Sequence, residues 1–252
     1  MSVDELTLWA RHNGFPNESL LISDTLWMFL NPRLRKLNYK GNLETLQRIL
    51  SPPPRYNFDP PSSLTHLVMY FQVEWWAIPI ANISVFVEFL QCLEQTLESL
   101  SLRMPGSFTY ILLKLPHFPR LQNLDFHLNP GQIIPEEGIA FTSFLSAHRE
   151  YLKTLTLCLD EALSSPVQIY QDFCNISFPF LHTLVLDISQ EFVDRIQAFP
   201  HVPCLQRFVL GCPYISREMM MTIRERAFPS QPTIALGGDG FKFDVYLQLR
   251  RW

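Results

Sequence analysis

The pattern Leu-x-x-Leu-x-apolar recurs along this chain, and that recurrence limits its folds more than any other feature. It occurs at LRKLNY (34–39), LTHLVM (64–69), LESLSL (97–102), LQNLDF (121–126), LKTLTL (152–157) and LHTLVL (181–186). Two looser copies are VDELTL (3–8) and LQRFVL (205–210). The first positions, 3, 34, 64, 97, 121, 152, 181 and 205, lie 24 to 33 residues apart. In a strand, positions 4 and 6 of each copy fall on one face and positions 3, 5 and 7 on the other. A single copy cannot bury its own leucines, whereas stacked copies bury them in one continuous column. The sequence therefore predicts an α/β fold, with a parallel sheet on one side and helices and irregular loops covering it on the other.

Parallel strands need crossover segments, commonly helical. Ile83, Phe86, Val87, Leu90 and Leu93 follow helical spacing over 83–93, as do Phe141, Phe144, Leu145 and His148 over 136–151. Segment 216–228, opening on Ser216, reads as another helix, and 43–50 and 191–198 read as shorter ones. The proline-rich stretch SPPPRYNFDPPSS (51–63) reads as a surface loop. The expected domain is one irregular array of about eight repeats over 1–252. Its expected caps are 10–30, which includes the apolar LLISDTLWMFL, and 233–252. In the latter, Asp239-Gly240 signals a tight turn between two strands.

Composition narrows the function classes. Of the 252 residues, 47% are hydrophobic and 17% charged, enough for a large core. Lys+Arg 20 against Asp+Glu 24 leaves no basic excess, and no Lys/Arg run forms a phosphate-binding stripe, which argues against nucleic acid. Cys92, Cys158, Cys174, Cys204 and Cys212 are odd in number and include no Cys-x-x-Cys, so neither a disulfide framework nor a zinc site is expected. The amino terminus lacks the basic and apolar regions of a signal peptide. The most apolar stretch, IPIANISVFVEFL (78–90), is interrupted by Asn82, Ser84 and Glu88 and is too short to span a bilayer. The expectation is a cytoplasmic or nuclear protein with no membrane partner.

The set of copies resembles the leucine-rich-repeat family over nearly the whole chain. That resemblance implies a solenoid of the ribonuclease-inhibitor-like horseshoe kind. FLSAHREYLKTLTL (144–157) and FLQCLEQTLESLSL (89–102) run a Phe-Leu helix end directly into the next strand, and FPRLQNLDF (118–126) and FPFLHTLVL (178–186) add a Phe-Pro lead-in. In these features the chain resembles the carboxy-terminal repeats of fungal F-box proteins, the substrate receptors of cullin-type ubiquitin ligases. The resemblance implies a non-catalytic module that recognises a protein partner on its sheet face. An adaptor of a cullin-type ligase becomes a partner only if an F-box lies outside this chain, because no Leu-Pro-rich helical segment precedes Val3. The Asn expected at position 9 occurs only at Asn42 and Asn129.

The outward positions 3, 5 and 7 are where such a partner would dock. Tyr70, Arg103 and His127 fall at position 7 of three successive copies, with Asp125 beside them. Tyr and Arg are enriched at interface hot spots, so these four residues are the predicted partner-binding site. Catalysis finds no support: there is no Gly-x-Ser-x-Gly, His-Glu-x-x-His or Walker-type loop. Gly237, Gly238 and Gly240 lack the lysine and helix start of a phosphate loop and read as a turn. A Cys158/His148 hydrolase pair is the enzymatic alternative, but the register puts Cys158 outward and His148 on the covering helix, beyond hydrogen-bond reach. No cofactor or metal is expected. A free-standing scaffold unrelated to ubiquitin is the other alternative.

Overall fold

The computed structural model describes residues 4–9, 34–41, 46, 63–71, 81–105, 111–129, 135–159, 171–187, 200–211 and 242–244. The chain divides into two compact units, Met1–Pro105 with Lys114–Leu121, and Gly106–Leu113 with Gln122–Trp252.

The first unit holds β1 (Glu5–Trp9), β2 (Lys36–Gly41), β3 (His66–Phe71) and β4 (Ser99–Pro105), with helix α1 (Ala81–Cys92) between β3 and β4. The strands pair in chain order and in parallel. Each opens at the third residue of its repeat copy. The register is in phase: Glu5 meets Lys36, Lys36 meets His66, and His66 meets Ser99. Equivalent residues therefore form columns. Leu34, Leu37, Leu64, Leu67, Leu97, Leu100 and Leu102 are buried, each worth roughly 1.5–3 kcal/mol when removed from water. β2 and β3 alternate half-buried and buried residues along their whole length. In β1, Leu6 and Leu8 are only half-buried.

α1 buries Phe86, Val87, Phe89 and Leu90 and exposes Ser84, Glu88 and Gln91. Its end tightens to three-residue bonds, with the Leu93 N–H donating to Leu90 O at 3.0 Å. Leu97, the first residue of the next copy, then donates back to Leu93 O at 3.0 Å. The helix end itself thus sets the entry to β4. Phe71 joins strand to helix, its ring 5.5 Å from Phe86 and 6.4 Å from Tyr39. Burial pushes the Tyr39 hydroxyl well up from its ordinary pKa, with a hydrogen bond to the Leu46 backbone working the other way.

The second unit holds β5 (Asn123–Asn129), β6 (Thr154–Leu159), β7 (Thr183–Asp187), β8 (Arg207–Gly211) and β9 (Lys242–Asp244), with helix α2 (Pro135–His148) between β5 and β6. These strands also pair in chain order and in parallel. Leu124, Phe126, Leu155, Leu157, Leu184, Leu186 and Phe208 form the inner face. α2 starts on a proline, whose missing N–H costs nothing in a first turn. It buries Ala140, Phe141, Phe144, Leu145 and His148. Phe126 lies 5.7 Å from Phe141 and 5.8 Å from Phe144. The His148 ring stacks 4.3 Å from Phe144, and its Nδ1 lies 2.8 Å from Phe144 O. A carbonyl only accepts, so that nitrogen carries the proton. The helix ends three residues before the expected 151, because the Tyr151 and Leu152 N–H groups both turn back onto His148 O.

Two devices recur in the strand entries. The carbonyl of position 2 accepts from two consecutive N–H groups of the next copy: Asp4 O takes Arg35 at 2.9 Å and Lys36 at 3.0 Å. Arg35 and Thr65 repeat this in the first unit, and Gln122, Lys153 and His182 in the second. A one-residue slip would move every leucine to the wrong face, and these paired bonds oppose it. The second device is a proline turn. Phe118 O, Phe178 O and Val202 O accept from Leu121, Leu181 and Leu205, with Pro119, Pro179 and Pro203 at the second position. Proline presets the required φ there.

The expected segments 10–30, 191–198 and 216–228, the loop 51–62 and the expected turn at Asp239-Gly240 lie outside the described residues. Leu46, in the expected helix 43–50, is helical and buried. β9 supplies the expected final strand, paired in parallel with β8.

Candidate interaction surface

Positions 3, 5 and 7 of the strands are half-buried or exposed wherever they are described, with one exception. Val209, at position 5 of β8, is only 7% exposed.

On the first unit the outward face carries long polar side chains in contact across strands. Lys36 Nζ lies 2.9 Å from Glu5 Oε1. Asn38 Nδ2 donates to Glu5 Oε1 at 3.0 Å and to Thr7 Oγ1 at 3.1 Å. The hydrogen bond from Lys36 holds the Glu5 carboxyl below its ordinary pKa, helped by the Lys36 charge and by Asn38 and opposed by desolvation. One row further along, Lys40, Tyr70 and Arg103 are register partners on β2, β3 and β4. Lys40 Nζ sits 4.8 Å from the Tyr70 ring centroid and Arg103 Cζ 4.7 Å from it. Both cations are within the range where the ring quadrupole attracts them.

On the second unit the outward face carries Asp125, His127, Asp187 and Arg207 among smaller neutral side chains. Asp125 Oδ1 lies 3.0 Å from His127 Nε2, two residues apart on one face of β5. Cys158 Sγ donates to Asp187 Oδ2 at 3.4 Å. Thr154, Thr156, Thr183 and Val185 fill the positions between.

The four predicted site residues therefore fall into two pairs. Tyr70 and Arg103 touch on the first unit, and Asp125 and His127 touch on the second. Sequence reasoning missed Lys40 as a member of the first pair. Its signal was present, since Lys40, Tyr70 and Arg103 occupy position 7 of consecutive copies. Cys158 lies on the outward face and His148 on the covering helix, as the repeat register predicts. Among the described residues, no group of three or more His, Cys, Asp or Glu residues is placed to hold a metal ion. No helix among them is long and apolar enough to cross a membrane.

No family model, no curated protein and no solved structure matches the chain.

Proposed function

We propose that this chain is a leucine-rich-repeat solenoid of the ribonuclease-inhibitor-like horseshoe kind, and that its outward strand face recognises a protein partner without catalysis. The supporting observation is the in-phase register. It gathers the third, fifth and seventh residues of successive copies into rows, free of the packing demands that fix the leucines. Such rows vary in chemistry over a constant backbone, which is what a recognition surface requires. Tyr70 and Arg103 are the first anchors, with Asp125 and His127 a second pair. In this reading the module works in the cytoplasm or nucleus, as the recognition part of a fungal F-box protein does, and delivers its partner to a cullin-type ubiquitin ligase. The scaffold alternative shares the surface and differs only in having no ligase adaptor.

The test is a pair of photo-crosslinking side chains, one replacing Tyr70 on the outward face and one replacing exposed Glu88 on α1. Expressed in the native cells, the first should give a discrete adduct and the second none. Adducts from position 88 alone would overturn the assignment of the face. The ligase adaptor in the recovered complex decides for the F-box reading, and its absence from a complex holding the partner decides for the scaffold.

A further inference from the structure

We propose that the strand-entry edge of the second unit docks an extended acidic segment of a partner protein, one that carries a bulky apolar residue among its acids. The aromatic rings concerned lie off the outward strand face, and the inference does not rest on the recognition reading above.

Two exposed aromatic residues mark the edge. Tyr151 and Phe180 each stand immediately before the first leucine of a copy, Leu152 and Leu181. Those leucines and Phe178 are buried, whereas Tyr151 is 41% exposed and Phe180 55%. The backbone around both is pinned. The Tyr151 N–H donates to His148 O at 3.0 Å, the Phe178 N–H to His201 O at 2.9 Å, and the Leu181 N–H closes its turn onto Phe178 O at 3.4 Å. The His182 N–H donates to Lys153 O at 2.8 Å, which sets the two copies side by side, with strands about 4.8 Å apart. Tyr151 and Phe180 are thus equivalent residues of neighbouring copies.

The fold does not ask for rings at this position. In the first unit it holds Ser63 and Thr96, whose hydroxyls donate to Leu34 O at 3.2 Å and to Leu93 O at 3.4 Å. A small hydroxyl residue therefore serves the strand entry, and the aromatics of the second unit exceed what the entry requires. One exposed apolar side chain is ordinary. Exposed apolar side chains grouped in a patch with a polar rim mark an interaction site.

Charge then selects the ligand. Along the edge the exposed charged residues are Arg149 and Lys153 against a single acid, Glu150, with Arg207 where the edge meets the outward face. The whole chain has a formal charge of −4, so the edge is locally cationic on an acidic protein. Arg149 and Lys153 stand two residues to either side of Tyr151. The complement is a bulky apolar side chain with carboxylates at i−2 and i+2, which an extended peptide presents on one face. A sugar–phosphate backbone fits less well, because it offers no donor to Glu150, whereas peptide N–H groups do.

The test uses the full chain and fluorescent peptides in anisotropy titrations. The first probe places Glu-Ser-Leu-Ser-Glu in a Ser/Gly background. Its two counterparts carry Gln for both Glu residues, or Ser for the Leu. A single-stranded oligonucleotide and phosphatidylserine vesicles are titrated beside them. The first probe should bind, and each counterpart about tenfold more weakly or not at all. Tyr151→Ser, Phe180→Ser and Lys153→Gln should each weaken it several-fold, with Glu88→Gln on α1 as an unaffected control. Added salt should weaken it as well, because surface charges are screened. Should Phe180→Ser melt early, Tyr151→Ser and Lys153→Gln carry the test. No binding, equal binding of the first probe and either counterpart, unchanged affinity in the edge variants, or tighter binding of the oligonucleotide or the vesicles overturns the proposal. Crosslinking through position 70 reports separately on the outward face, so either reading can fail while the other stands.

Discussion

The two units share one backbone plan and differ on the face that plan leaves open. Inside, both stack leucines in columns and seat phenylalanines under a helix: Phe71 against Phe86 in the first unit, Phe126 against Phe141 and Phe144 in the second. Outside, the first unit presents Lys40, Tyr70 and Arg103 in one row, with Glu5 and Lys36 paired nearby. The second presents Asp125 with His127, Cys158 with Asp187, and threonines between. The inner face is fixed because a lost methylene leaves a cavity. The outer face is not, because a solvated side chain can change without moving the strand. The chain thus separates residues that make the fold from residues that can change without disturbing it.

The largest effects should come from the inner face and should be alike in the two units. Phe71→Ala and Phe126→Ala should each cost about 3–5 kcal/mol in denaturant unfolding. A cost confined to one unit would mean that the two inner faces are not equivalent. The smallest effect should be Glu5→Gln, on an exposed pair. Its folded pKa is lowered, so the pair stabilises the folded chain above the ordinary carboxylate range. That contribution is lost as pH falls through the depressed value. Melting temperatures of wild type and Glu5→Gln should therefore differ slightly at neutral pH and converge in acid and in high salt. A difference that persists in acid would show that Glu5 acts by packing and not by charge.

Much of this architecture was legible in the sequence, because the inner-face requirement repeats. All eight copies open a strand at their third residue, and helices α1 and α2 lie where Phe86, Leu90, Phe144 and His148 set the spacing. What was not legible depends on backbone atoms or on pairs of side chains. The paired N–H bonds onto Asp4, Thr65 or Lys153 carbonyls leave no residue signature, since any residue supplies a carbonyl. Val209 reads as outward by position, yet it is buried. On the outward face, position 7 was readable as a row. That Lys40 and Arg103 both reach the Tyr70 ring follows from side-chain conformation, which periodicity does not encode.

The most direct test of the central claim, that fold and recognition reside on opposite faces, is partner affinity in the double variant Tyr70→Ala with Arg103→Ala, measured beside its melting temperature. Loss of both anchors should weaken binding by at least about tenfold while leaving the melting temperature close to that of wild type. Unchanged affinity would contradict the recognition surface, and a collapse in melting temperature would contradict the separation of the two faces.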